Sequence, residues 1–548
     1  MKKPVIIGLL SLALLGGYET VHLRAETVDA KSVSTVSEPT KPPADNPSDS
    51  KTAQPETEAN DFEFHKNTNG TFILASYHGT AAVVTIPATY KGQKVVYISD
   101  GAFAQNDILE EVVIPDGITA IGTGAFASCS KLTKVTLPKG LTRIENETFS
   151  DCVKLKIIQL PDALTSIGES AFDNCVSLTS LTIPAASIEY GAFRDCIGLT
   201  EVTFTAKKLS IGAYAFLDCS SLKNLAFPQS LVSGTISTGG FGNCTDLKSV
   251  TLPDGFKTIG QGAFAGSIRL STIYIPDSAT ELSYNAFHNT QWYDNQMKKS
   301  SLLVINRVLI DASQAKGHVI IPETVVRIEK NAFLLNKNIT KVTMNTNVTA
   351  IASDAFFGCS NLKTVVFKEG LTKMGHNVFA GCDSLSSIVL PEGLTAIGNM
   401  VFYNCKNLKT ITFPKSLTSI GYDSFYKTEW LTVQREENPL VIVNSILIDG
   451  KTSKGRVTIP KGVVTILNSS FKGNTKITKI TIPTSVKTIQ KGAFSGCINL
   501  KEAVLPKNVT QIAPEAFHSP SKKLVIYTTK GSQGEAYAKS NNLKYKYL

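Results

Sequence analysis

Ten cysteines are the most reactive side chains in this sequence, and their spacing argues against most of the chemistry they offer. Cys129, Cys152, Cys175, Cys196, Cys219, Cys244, Cys359, Cys382, Cys405 and Cys497 each stand three residues after a phenylalanine of one repeated motif. An even count in an exported chain invites disulfides, and adjacent turns of a repeat would bring cysteine backbones within bonding reach. Yet Cys497 has no cysteine one period away, and the run 359, 382, 405 is odd. Other repeats place Ser267, Thr290, Asn336, Thr428 or Asn474 there. The position asks for a small inward group, so buried free thiols are expected ahead of disulfides or a metal site. The seven histidines, His22, His65, His78, His288, His318, His376 and His518, form no His-x-x-x-His or His-Glu-x-x-His pair. A helical zinc site needs such a pair, and isolated surface histidines are expected instead. No Gly-x-Ser-x-Gly, P-loop or dinucleotide fingerprint is present. Carboxylates in Pro115-Asp116-Gly117 and Pro391-Glu392-Gly393 read as turn chemistry. No catalytic residue, cofactor or metal is expected, and the chain does not read as an enzyme.

The element that positions these cysteines is a fixed period. The phenylalanines run Phe103, Phe126, Phe149, Phe172, Phe193, Phe216, Phe241, Phe264 and Phe287, and resume at Phe333, Phe356, Phe379, Phe402, Phe425, Phe471, Phe494 and Phe517. Steps are 23 residues except for one of 21, one of 25 and two of 46. A period of this size means a solenoid that stacks one unit, here about 19 turns. Counting from the phenylalanine as zero, the turn of Phe126 is apolar at Cys129, Leu132, Val135, Leu137, Leu141 and Ile144. Val135 and Leu137 alternate with Lys134 and Thr136, the period-two pattern of a strand with one buried face. Pro138 ends that strand, a second short extended piece follows near Leu141–Ile144, and the Ala-Phe-x-x-Cys stretch is expected to make a short helical or 3₁₀ turn.

The two 46-residue steps resemble each other. Trp292 and Trp430, the two tryptophans of the chain, lie five residues after Phe287 and Phe425. LLVINRVLIDASQAKGHVIIP and LVIVNSILIDGKTSKGRVTIP follow them, and Ile310 and Ile448 fall where a phenylalanine is due. Modified turns are expected at about 288–322 and 426–460. Each tryptophan either plugs its irregular turn, the simpler reading, or protrudes as a contact. Capping segments are expected at 60–98, with a hairpin through Asn69-Gly70, and at 523–548, as strand, helix and strand. Residues 99–522 then hold the repeats.

Ahead of the caps, Lys2 and Lys3 precede an apolar run too short to span a bilayer, so residues 1–30 read as a secretory signal. Tyr18 stands where a lipoprotein signal would carry its modified cysteine. Residues 31–59 are rich in Ser, Thr and Pro and read as a disordered stalk. No C-terminal wall-sorting signal is seen, and no integral membrane segment is expected in the mature chain. The net charge of +10 comes from scattered lysines such as Lys134, Lys154, Lys341 and Lys479. Without a basic block or aromatic stacking platforms, a nucleic-acid partner is not indicated.

The repeat, with its Ala-Phe-x-x-Cys and Leu-x-x-Val-x-Ile-Pro segments, resembles the BspA-type leucine-rich repeat of bacterial surface proteins. The resemblance covers about residues 61 to 545 and rests on nineteen register positions, seventeen of them phenylalanine. The modified turns and the Gly531 to Ala538 ending share it. It implies a mostly β leucine-rich-repeat solenoid that is secreted or held at the cell surface, often an adhesin for host proteins or other cells. It transfers no catalytic motif.

The expected function is therefore binding: a monomeric solenoid engaging a host extracellular or bacterial surface protein through its exposed strand face. The alternative is a structural spacer of the cell envelope without a high-affinity ligand. Candidate contacts are Trp292, Trp430 and Tyr274, which break the uniformity of the repeat, and the outward threonines Thr136, Thr182, Thr251, Thr343 and Thr412.

Overall fold

The computed structural model describes residues 59–548. The expected secretory signal and the stalk up to residue 58 lie outside the described residues. Among those described, no helix is long and apolar enough to cross a membrane. The chain is a parallel β-solenoid of about 21 turns, the nineteen of the repeat register and one cap turn at each end.

Each regular turn carries two short strands. In the turn of Phe126, Lys134–Thr136 pairs in parallel with Glu111–Val113 before it and Ile157–Ile158 after it. Val135 is buried while Thr136 is exposed, as period-two alternation requires. The second strand, Arg143–Ile144, pairs with Ser166–Ile167 and buries Ile144.

The Ala-Phe-x-x-Cys stretch is not helical, contrary to the expectation of a helical or 3₁₀ turn. Residues two before and two after the phenylalanine take positive φ, such as Gly124 (60°) and Ser128 (59°), or Glu147 (55°) and Asp151 (58°). Left-handed residues break a right-handed helical path. They aim every second amide along the solenoid axis instead. Gly124, Phe126 and Ser128 donate to the carbonyls of Asn146, Thr148 and Ser150 in the next turn, at 2.9, 2.9 and 2.7 Å. This segment is a third axial ladder, made of turns.

The phenylalanines stack inside it. Successive rings lie 4.5–6.0 Å apart and within 19° of parallel. Each cysteine thiol donates to the carbonyl of the phenylalanine one turn back, as Cys129 to Phe103, Cys152 to Phe126 and Cys175 to Phe149, all at 3.1 Å. Ser267 makes the same bond to Phe241 at 3.1 Å. The position thus selects a donor as well as a small group. All ten cysteines are buried and free.

Caps close both ends of the aromatic stack. Phe62–Lys66 and Phe72–Tyr77 form an antiparallel hairpin, and Tyr77 lies 5.1 Å from Phe103. At the other end, helix Gln533–Ser540 places Tyr537 against Phe517, 5.8 Å away, where its hydroxyl accepts the Phe517 amide at 3.1 Å.

The two modified turns depart from the expected register. Ala312 and Gly450, not Ile310 and Ile448, occupy the phenylalanine slot. Their amides donate to Ala332 and Ser470, one residue before Phe333 and Phe471, at 2.7 and 2.8 Å. Asn336 and Asn474 donate back to their carbonyls, both at 2.9 Å. The shift has a local cause. Leu303–Ile305 turns back on Val308–Asp311, and Val441–Val443 on Ile446–Asp449, as antiparallel hairpins. Leu309 pairs with Ile328 and Leu447 with Ile466. The slot follows three residues after Leu309 or Leu447 but five after Ile328 or Ile466, so the modified turns are two residues short on this side. The aromatic stack breaks at both places, and the missing ring is made up by the next one. A Cβ on Gly450 would run into the Phe471 ring.

Gly450→Ala is therefore expected to destabilise the chain by about 1–3 kcal/mol through overpacking, read as a lower urea midpoint. Phe471→Leu in the same chain should recover part of the loss, because the two sites share one space. A purely additive double variant would contradict this packing.

Candidate functional site

The outward strand face is built by one ladder. Thr136, Thr182, Thr251 and Thr412 are exposed on it, and Thr343 is half-buried with its hydroxyl on His318 Nε2 at 2.9 Å. Lateral partners are fixed by register: Thr251 lies beside Tyr274, Thr182 beside Thr203 and Thr412 beside Val389. Tyr274 is 57% exposed. The five threonines and Tyr274 share this face but are spread over many turns and do not converge on one spot.

Helices interrupt the ladder at the modified turns. α1 (Gln291–Lys299) and α2 (Glu429–Glu437) replace the first strand there. Thr290 and Thr428 cap them, accepting from the Tyr293 and Leu431 amides at 3.1 Å. That explains why threonine replaces cysteine at these two positions: the hydroxyl serves the helix. The tryptophans enter with the helices. Trp430 is 8% exposed and lies between Phe413 (5.4 Å) and Phe425 (4.9 Å). It fills the space between helix and core and has almost no surface to offer a partner. Trp292 is half-buried with its ring 5.0 Å from Phe287.

Each modified turn also buries an aspartate. Asp311 accepts from Tyr293 Oη at 3.0 Å and the Ser313 amide at 2.7 Å, and pairs with His288 Nε2 at 2.7 Å. Burial pushes its carboxyl up, but the His288 and Ser313 hydrogen bonds outweigh that and hold it below the ordinary value. Asp449 is gripped by Arg435 through two bonds of 2.9 and 2.6 Å. The expectation of isolated histidines therefore fails at His288. Its partner lies one period on, a pairing written in the register but missed by a search confined to histidine pairs. His65 and His78 likewise sit on one carboxylate, Glu63, at 3.0 and 3.7 Å. Among the described residues, no three His, Cys, Asp or Glu side chains are arranged to hold a metal ion.

Most of the thiols are chemically muted; Cys129 is the exception, drawn down by a hydrogen bond with Cys152. Burial pushes Cys175 and Cys219 well above the ordinary thiol value, and Cys405 and Cys497 up to about 12. Such groups are held as hydrogen-bonding thiols and are poor nucleophiles.

The profile of the BspA type leucine-rich repeat region matches residues 85–186, 171–294, 311–432 and 449–544, most of the chain. The chain belongs to this family. Solved structures similar to this chain include a leucine-rich repeat protein from Bacteroides ovatus, 23% identical, covering 89% of this chain and 98% of that one with a TM-score of 0.35. A leucine rich cell surface protein from Faecalibacterium prausnitzii is 28% identical, covering 68% and 92%, with a TM-score of 0.35. The pneumococcal vaccine antigen PcpA is 17% identical, covering 90% and 98%, with a TM-score of 0.26. No curated protein matches the chain.

A buried thiol whose folded pKa exceeds its unfolded value stabilises below the unfolded value and stops doing so as pH rises. The contribution of Cys405 and Cys497 should be constant below about pH 8 and fall between there and about 12, their folded value. Replacing both by serine should flatten that fall in urea melts across the pH range. An unchanged slope would remove the thiols from the account.

Proposed function

We propose that this chain is an extracellular binding protein, an adhesin that engages a host or bacterial surface protein through its outward strand face. The observation that carries the reading is the exposure of Ile157 (60%), Tyr274 (57%), Ile320 (64%) and Val389 (63%) on that ladder. Strand propensity accounts for the threonines between them. It does not require large apolar side chains left in water, and each of these gives an otherwise uniform face a local feature that a partner can engage. The mechanism is complementarity spread over many turns, with the few large apolar side chains acting as anchors that carry most of the binding energy. Membership of a family resembling bacterial surface proteins supports an exported location, and the expected secretory signal agrees with it. The chain is read as a monomer, because each end of the stack is closed by a cap.

The test uses purified residues 59–548 against extracellular-matrix, plasma and bacterial-surface proteins at physiological salt. Saturable binding to one of them is expected, weakened about tenfold or more by Tyr274→Ala combined with Ile320→Ser at an unchanged unfolding midpoint. A flat response across the set would move the reading to the envelope spacer.

A further inference from the structure

The modified turns leave two clefts, and these lie apart from the outward strand face. Because each is two residues short before the phenylalanine slot, the ridge that follows every second strand is recessed there. The ridges on either side then stand as walls, about two turn spacings or roughly 10 Å apart. One cleft, of about 380 Å³, is walled by Gln261, Tyr284 and Lys330 among others. The other, of about 580 Å³, is walled by Asn399, Tyr422 and Asn468. These residues correspond one to one at a separation of 138 residues, six turns. Each cleft thus repeats one layout: an amide, a tyrosine one turn on, and a side-chain nitrogen donor across the gap, Lys330 in one and Asn468 in the other.

In the second cleft the donors are free and oriented. Asn399 Oδ1 accepts the Tyr422 amide at 3.2 Å, and Asn468 Oδ1 accepts from Ser469 Oγ at 2.7 Å. Their NH₂ groups are left without a protein partner among the described residues, as are the Tyr284 and Tyr422 hydroxyls. Tyr284 is braced edge-on by the His288 ring at 5.3 Å. An aromatic ring with nitrogen donors at one recurrent spacing is suited to a sugar: the ring takes the C–H face and the donors take hydroxyl oxygens. Glu329 is occupied by Arg327 at 2.8 Å, and the remaining charged side chains on the walls are donors, Lys330 in the first cleft and Lys373 in the second.

We infer that the two clefts are a pair of corresponding binding sites for hexose or N-acetylhexosamine units of a glycan. This goes beyond the protein-binding reading and does not depend on it. The full chain is titrated calorimetrically with maltotriose, laminaritriose, lacto-N-tetraose and chitotriose. Saturable binding of at least one at two sites per chain is expected. Tyr284→Ala and Tyr422→Ala should each weaken one of the two sites about tenfold or more, leaving one tight site per chain, and together weaken both. Tyr→Phe at the same positions should retain the stacking share. Urea midpoints of the variants report whether the fold is kept. If a variant unfolds, protection of Tyr422 from nitration by bound sugar in the unaltered chain replaces it, and no protection counts against the sites. No binding of any of the four up to about 10 mM, binding indifferent to both tyrosines, or binding of extended peptides in their place would overturn the inference.

Discussion

The structure depends on one constraint: every turn must hand its axial amides to the next. Three ladders run along the solenoid, and the least regular in dihedral angle is the most demanding. In the Ala-Phe stretch three alternate amides per turn point down the axis, which requires left-handed residues on both sides of the phenylalanine. For residues other than glycine such conformations cost free energy, and they are tolerated because each aims an amide at a waiting carbonyl. An unmet buried amide costs more than the strain. The phenylalanine stack follows from the same geometry, since residues held at one axial spacing place their rings in register at 4.5–6.0 Å.

The modified turns show what happens when that constraint is relaxed. Between Phe287 and Ala312, and between Phe425 and Gly450, a side chain takes over part of the axial contact. Asp311 reaches His288 and Tyr293, and Asp449 reaches Arg435. A buried carboxylate without such a partner would be strongly destabilising, so each aspartate must bring its own. The two turns solve this differently, with a histidine and tyrosine in one and an arginine in the other. The backbone arrangement is therefore the common requirement, and the partner is adjustable.

Most of the architecture was legible because the solenoid is one-dimensional: neighbours in space are neighbours in register. The strands, their inward faces and the buried thiols follow from period-two alternation and the recurrence at 23 residues. Three features were not legible. The turns around phenylalanine read as helical because a left-handed residue leaves only a soft mark in sequence, a preference for Gly, Asn and Asp that Glu147 and Tyr214 do not share. The phenylalanine slot was misplaced at Ile310 and Ile448 because a two-residue deletion there is compensated earlier in the same turn, leaving the 46-residue sum intact. The Asp311–His288 pair joins unlike residues one period apart, so the recurrence of like residues along the register does not mark it.

Function in such a chain follows from where regularity is broken. A regular turn repeats its neighbours, so a ligand that fits one turn fits the next and slides without a defined position. Fixed position needs a landmark that does not recur every 23 residues. Isolated apolar side chains such as Tyr274 and Ile320 provide landmarks on the strand face, and they flank α1, where the ladder is already interrupted. The recessed ridges provide landmarks on another face, at two places related by six turns. The helix that interrupts the strand ladder and the hairpin that shortens the ridge belong to the same modified turn. One local departure therefore creates a distinctive feature on two faces of the solenoid at once, and its repetition six turns later gives each feature a second copy at a set distance.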